Sequence, residues 1–354
     1  MSPSPLRRPV RQVNPLSYPL DPAPGVGETR MVRPGVWWIR LPLPFALDHI
    51  NVWALEDGDG WTLVDTGFGI PPVQTIWRTL SASLLRDRPV HRILVTHYHP
   101  DHIGLAAWLS DRFEAPVWMT ESEFLTAHLA WSSTAAFTEA QLRHFKRHGL
   151  SQAWSNDVST RAGDYKSGVP ALPDWFQRIR DGDRLNIGEH EWTVQVGYGH
   201  APEHACLYSG SLGLLISGDQ VLPRISTNVG VWATEPEGDP LGLYLDSLDR
   251  LKSLPGDVRV LPSHGWVFDG LHARIKQLEA HHSSRLSELI GFCSEPRSAG
   301  DVLPLMFRRE LDPHTVRFAM GEAIAHLNHL YQRGEMSRHR REDGIYTFQT
   351  MDSA

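Results

Sequence analysis

The chain has 354 residues, a formal net charge of −7, and 41% hydrophobic against 21% charged residues. That balance is ordinary for a globular protein and excludes wholesale disorder, while the length exceeds what one compact core usually holds. The negative charge speaks against a surface built for nucleic-acid backbones, and no stretch approaches the roughly 18 uninterrupted apolar residues of a membrane span.

Residues 1–30 form a Pro-rich arm, flexible or clamping, that carries Arg7, Arg8 and Arg11. No apolar run follows these arginines, so a secretory signal is not expected. With only two cysteines, Cys206 and Cys293, far apart in sequence, two reduced thiols are expected and the location reads as cytoplasmic. Strands are predicted at Gly35–Leu41, Asn51–Leu55 and Trp61–Asp65, with Gly58-Asp59-Gly60 turning a hairpin. Pro71 and Pro72 open a helix to about Leu85 whose apolar stripe is Val73, Ile76, Trp77 and Leu80. A buried strand at Arg92–Thr96, a helix at Ile103–Phe113 and a strand at Pro116–Thr120 follow. From Glu121 to Trp175 the alternation stops, which predicts a helical insertion, rich in aromatics, that acts as a lid or pocket wall.

Strands resume at Glu191–Val196, Ala205–Tyr208, Leu212–Ser217 and Val258–Leu261, with a helix at Leu241–Leu254. Two such halves predict an α+β fold of two sheets packed face to face with helices outside, an αββα sandwich spanning residues 31–270. Residues 271–354 read as a small, mainly helical second domain of winged-helix type. Its helices are Leu271–Phe292, Ala299–Arg309 and His314–Arg333, and its hairpin is Met336–Phe348.

Nineteen histidines make spacing the informative quantity. The segment Thr96-His97-Tyr98-His99-Pro100-Asp101-His102-Ile103-Gly104 follows a buried strand directly. Divalent metals want neutral imidazole and carboxylate donors aimed at one place, and three histidines and an aspartate on a strand-to-helix turn supply them. Pro100 stiffens the turn and Gly104 permits close packing behind it. Four residues cannot fill two coordination spheres, so further donors are expected at later strand ends. His200 in Tyr198–His204, Asp219 in Ser217-Gly218-Asp219 and His264 in Ser263-His264-Gly265 stand at such ends.

In these blocks, taken in this order, the sequence resembles the metallo-β-lactamase-fold hydrolases over about Val32–Asp269. The resemblance implies a first metal held by His97, His99 and His200, a second held by Asp101, His102 and His264, and Asp219 bridging the pair. It also implies that Asp65, in Val64-Asp65-Thr66-Gly67, hydrogen-bonds a ligand histidine. The chain departs from the usual GHTxGH pattern at Gly199–His204, where Ala201 and Glu203 stand. The C-terminal part resembles, more loosely, the winged-helix extension of the lactamase-β-like branch.

The expected chemistry is attack on a carbonyl carbon by a hydroxide shared between two divalent cations, with Asp101 and Asp219 as catalytic carboxylates. Zinc suits the donors first, with iron or manganese as alternatives. His49, His204 and Arg224 are candidates for substrate contact, Tyr98 reads as packing, and His281-His282 as a solvated pair on a polar helix face. Two substrate classes compete: esters, thioesters or lactones, and phosphodiesters of RNA or DNA. Residues 271–354 carry 11 Lys+Arg and 11 Asp+Glu, and the one basic cluster is Arg338–Arg341. A neutral appendage favours a small carbonyl substrate over nucleic acid. No membrane partner is expected, and the arm and the C-terminal part offer surfaces for a homodimer.

Overall fold

The computed structural model describes residues 16–132, 135–154, 164–308, 311–312 and 315–351. Arg7, Arg8 and Arg11 of the arm lie outside the described residues. The remainder of the arm clamps: Leu16 is buried, and Ser17 pairs with Asp269 through reciprocal backbone hydrogen bonds of 2.9 and 3.2 Å.

One sheet has seven strands in sequence order: β1 (Thr29–Arg33), β2 (Val36–Pro42), β3 (His49–Asp57), β4 (Gly60–Val64), β5 (Val90–Leu94), β6 (Val117–Met119) and β7 (Gln177–Arg178). The second has six: β8 (Arg184–Ile187), β9 (His190–Gly197), β10 (His204–Ser209), β11 (Leu214–Gly218), β12 (Arg259–Pro262) and β13 (Phe268–Asp269). The β1–β4 meander is antiparallel, and β4, β5, β6 and β7 run parallel. Helices α1 (Pro71–Ala82), α2 (Pro100–Ile103) and α3 (Ala106–Phe113) lie in and beside these crossovers.

Alternation along the strands builds two cores at once. Val36 and Trp38 of β2, with Trp53 and Leu55 of β3, join Trp192, Val194, Leu207 and Ile216 of the second sheet in a core between the sheets. The opposite residues, Ile39 and Leu41 of β2 and Val52 and Ala54 of β3, pack with Val73 and Trp77 of α1 and Leu109 of α3. Strands buried on both faces in this way require helices on the outside. The expected αββα sandwich is the fold.

The insertion is helical as anticipated, with α4 (Glu121–Trp131), α5 (Ala135–Arg147) and α6 (Asp164–Gly168). The second sheet is covered by α7 (Pro240–Leu251) and α8 (Leu271–Phe292). Beyond them come α9 (Ala299–Met306), α10 (Thr315–Gln332) and the hairpin β14 (Met336–Arg340)–β15 (Tyr346–Thr350). One continuous apolar cluster runs from Cys206 and Leu215 of the second sheet through Leu248, Ile275 and Leu289 to Val302, Ile324, Leu327 and Phe348. The reading of His281-His282 as solvated is corrected here. His282 is buried, its Nδ1 3.2 Å from Nε2 of His326, because that face of the long α8 is covered by α10.

Candidate metal centre

The site forms where the C-terminal ends of strands from both sheets meet. Thr96, just past β5, accepts the Ala205 backbone N–H of β10 at 2.9 Å, a direct bond between the sheets. Asn51 of β3 is fully buried and reaches across to the other sheet, donating its Nδ2 to the carbonyls of Pro262 and Gly265. After β5 the chain turns sharply into α2. Gly104 ends that turn where backbones crowd: a Cβ there would stand 2.6 Å from the Gly67 carbonyl oxygen and closer still to those of Pro100 and Gly168.

Seven donors converge in two groups, the donor atoms of each within 4.8 Å of one another: His97, His99, His200 and Asp219, then Asp101, His102 and His264. In the first, His97 Nε2 lies 2.9 Å from His99 Nδ1 and 3.2 Å from His200 Nε2, and Asp219 Oδ2 lies 3.4 Å from His200 Nε2. In the second, His264 Nε2 lies 3.4 Å from Asp101 Oδ2, and His102 Nε2 lies 3.7 Å from the same atom. Asp219 spans both groups, its Oδ1 3.4 Å from His264 Nε2 and its Oδ2 3.7 Å from His102 Nε2.

The outward ring nitrogens are tied back. His102 Nδ1 lies 2.8 Å from Asp65 Oδ2, His200 Nδ1 2.8 Å from the Asn228 carbonyl, and His264 Nδ1 2.9 Å from the His49 carbonyl. Each such bond fixes the proton on the outer nitrogen and turns a lone pair inward. Asp65 also accepts the Thr96 N–H and hydroxyl, and it adopts φ of 61°, a left-handed conformation that aims its carboxylate back at the turn.

Burial, then the neighbouring imidazoles, hold His97 well below the ordinary histidine range and push His99 down to about 3. Burial also opposes charge on His102 and His264. The carboxylates of Asp65, Asp101 and Asp219 outweigh it, holding His102 well above the usual value and His264 up to about 10. Both carboxylates stay ionised against burial, because His102 and His264 face Asp101, and His264 and His102 face Asp219. The carboxylates thus concentrate negative charge toward one space, where a cation would displace the inner protons of His102 and His264.

Of the three candidate substrate residues, two are turned into the framework. His204 is fully buried behind Asp219 and accepts its backbone N–H at 3.0 Å. His49 is buried as well, its Nε2 accepting the Gly265 N–H and its Nδ1 facing Asp48 and Arg40. Both therefore brace donor-bearing loops. The exposed Arg224 stacks its guanidinium over Trp266 at 4.0 Å, with Tyr18 beyond. Tyr98 is a packing residue: burial pushes its phenol further above the ordinary range, and it packs within the α1/α3-side core.

Glu123, in the insertion, had no signal in the sequence. Its buried carboxylate accepts the Tyr98 N–H at 2.9 Å and the Glu203 N–H at 2.6 Å, joining the loops of His99 and His200. Burial pushes it up to about 7, against the two N–H donors that favour the carboxylate. Glu203, the departure from the usual pattern, accepts the Ser122 N–H in the first turn of α4, and its carbonyl accepts the Thr120 hydroxyl. Tyr165 of α6 donates its hydroxyl to the Tyr98 carbonyl at 2.6 Å. The insertion is thereby bolted onto both of these donor-bearing loops.

A family model described as the metallo-beta-lactamase superfamily matches residues 46–264, and one described as the metallo-beta-lactamase-like C-terminal domain matches residues 286–351. A solved beta-lactamase domain protein from Burkholderia ambifaria is 46% identical with a TM-score of 0.88, over 95% of this chain and 98% of that one. The probable metallo-hydrolase YqjP of Bacillus subtilis is 26% identical over 88% of this chain and 97% of its own length. A hydroxyacylglutathione hydrolase of Idiomarina loihiensis is 23% identical over 85% of this chain and 94% of its own.

Proposed function

The chain belongs to the metallo-β-lactamase superfamily of hydrolases, and from that premise we propose that it cleaves a carboxylic thioester, ester or lactone with two divalent cations. His97, His99 and His200 would hold the first cation, Asp101, His102 and His264 the second, and Asp219 both. The observation that carries this reading is the tie-back of the outer nitrogens of His102, His200 and His264. Beside the tied rings, His102 Nε2 and Asp219 Oδ1 are buried with no hydrogen-bond partner among the described residues. Both atoms lie among the converging donors, where a cation would complete them. The borderline-soft set of imidazoles and carboxylates fits zinc, with iron or manganese as alternatives.

Bound cations would acidify water and polarise an acyl carbonyl. The chain's own contribution is to hold Asp101 and Asp219 ionised and His97 and His99 neutral, and to fix the rings of His102, His200 and His264 by their outer nitrogens. Asp219 stands between the two groups, placed to orient a nucleophile, and Tyr98 takes no part in proton transfer. A carbonyl substrate is supported by the hydroxyacylglutathione hydrolase relative and by the charges of the C-terminal part. There Arg338 pairs with Glu237 at 2.8 Å and Arg341 with Asp343 at 2.7 Å, so two of the three arginines of the one basic cluster are neutralised in place. No helix among the described residues is long and apolar enough to cross a membrane.

The test is a panel of p-nitrophenyl esters, acyl thioesters, lactones and bis-p-nitrophenyl phosphate, run on metal-loaded protein whose native metal is first identified by elemental analysis. Turnover of an acyl substrate is expected. Phosphodiester turnover without any acyl cleavage would replace this reading by the nuclease one.

A further inference from the structure

We propose that the C-terminal helix α10 is a working part of the first cation group, with Glu322 positioning His200 through Asn228. This rests on the metal-centre reading above. It concerns a positioning residue that touches neither cation nor substrate.

His200 carries its donor on a loop after β9, and its orientation is set by the 2.8 Å contact of Nδ1 with the Asn228 carbonyl. That carbonyl belongs to segment 227–231, which is neither helix nor strand. Backbone hydrogen bonds of regular structure therefore do not fix the segment, and its position comes from what it leans on. It leans on α10. Asn228 Nδ2 donates to Glu322 Oε2 at 3.0 Å, and the Val231 N–H donates to the Gly321 carbonyl at 3.0 Å. Val229 and Val231 are buried in the cluster that holds Ala319, Met320 and Ala323. Gly230 and Gly321 lie against each other: a Cβ on Gly230 would stand 3.4 Å from the Gly321 backbone, and one on Gly321 3.4 Å from the Gly230 Cα.

The same segment reaches the bridging carboxylate. Thr227 donates its hydroxyl to the Asp219 carbonyl at 2.5 Å. One irregular stretch thus holds two of the four donors of the first group and is itself held by a helix about 100 positions downstream. The braces of the other donors differ. His102 is tied to Asp65 and His264 to the His49 carbonyl, both within the first sheet and its loops. A fault at Glu322 acts through His200, a donor of the first group alone, and should therefore weaken that group more than the other.

Outer partners of ligand histidines typically alter metal affinity by about 10–100-fold, and an acceptor one bond further out belongs at the low end. The experiment uses the full-length protein freed of metal and titrated with cobalt(II), following visible absorption and chelator competition. Wild type is expected to take two equivalents. Glu322→Leu, which removes the acceptor and keeps the volume, should weaken one equivalent about 10-fold and shift its visible bands while changing the other less. Glu322→Gln retains an oxygen facing Asn228 and should restore the wild-type spectrum. Asn228→Ala approaches the same bond from the other side, should mimic Glu322→Leu, and carries the test if the leucine variant does not fold. Wild-type cobalt binding by these variants would overturn the inference alone. So would equal weakening of both equivalents that glutamine does not rescue, since that marks a general structural role. Absence of cobalt binding by wild type would overturn the metal reading, and this inference with it.

Discussion

Replacing Glu123 by Gln tests the bolt between the insertion and the metal-binding loops with almost no change in shape. Each carboxylate oxygen accepts one backbone N–H, from Glu203 at 2.6 Å and from Tyr98 at 2.9 Å. An amide keeps one acceptor and turns an NH2 toward the other N–H, so two donors face each other in a buried place. A buried donor left without a partner costs about 1–3 kcal/mol, and exchanging a charged acceptor for a neutral one weakens the surviving bond by about 1 kcal/mol. The expected loss is about 2–4 kcal/mol, read as urea-unfolding free energy at pH 8 with metal present. Glu123→Ala, which removes both acceptors, should lose more. Because burial raises the folded carboxyl to about 7, its contribution is full below the unfolded value and declines as pH rises through 7. The gap between wild type and Gln should therefore widen as pH falls from 7 toward 4.5. A Gln variant as stable as wild type at pH 8, with the gap flat in pH, would refute the pairing.

Asp65→Asn should reduce metal affinity about 10–100-fold, because the two carboxylate oxygens serve the Thr96 N–H and His102 separately and an amide keeps only one acceptor, without the charge; chelator competition measures it. Gly104→Ala should fold poorly or shed metal, since its Cβ would meet the Gly67 carbonyl oxygen at 2.6 Å and two further backbone oxygens; thermal unfolding and metal content report it. Burial pushes His148 and His282 down to about 3 and His144 and His326 to about 4. The unfolded chain then binds protons below pH 6.5 that the folded chain refuses. Stability should fall by up to about 1.4 kcal/mol per pH unit for each group between pH 6.5 and 4. A stability flat across that window, measured on metal-free protein, would contradict the burial of these rings.

The metal-binding turn was legible because four of its donors lie within six positions, and the distant donors because each stands just past a strand. Position after a strand does not tell which way a side chain faces, however. His204 stands in the same stretch after β9 as His200, yet it points into the framework and accepts a backbone N–H, as does His49 at the start of β3. Glu123, Asn228 and Glu322 act through backbone amides and carbonyls or through one another, across 25 to 94 positions, and such contacts leave no residue pattern. Strand β1, TRMVR, was not predicted, because an edge strand with one buried side chain shows no alternation. The short β8 and the two-residue β7 and β13 escaped for want of length.

The donor groups draw His97, His99, Asp101 and His102 from the loop after β5 and His200, Asp219 and His264 from the opposite sheet. Each cation seated there would be a rivet driven through both plates of the sandwich. Sliding of one plate over the other would then require breaking coordination bonds. Metal loading should consequently slow amide exchange along this whole rim, far beyond the residues that ligate, while the distal rim exchanges as before.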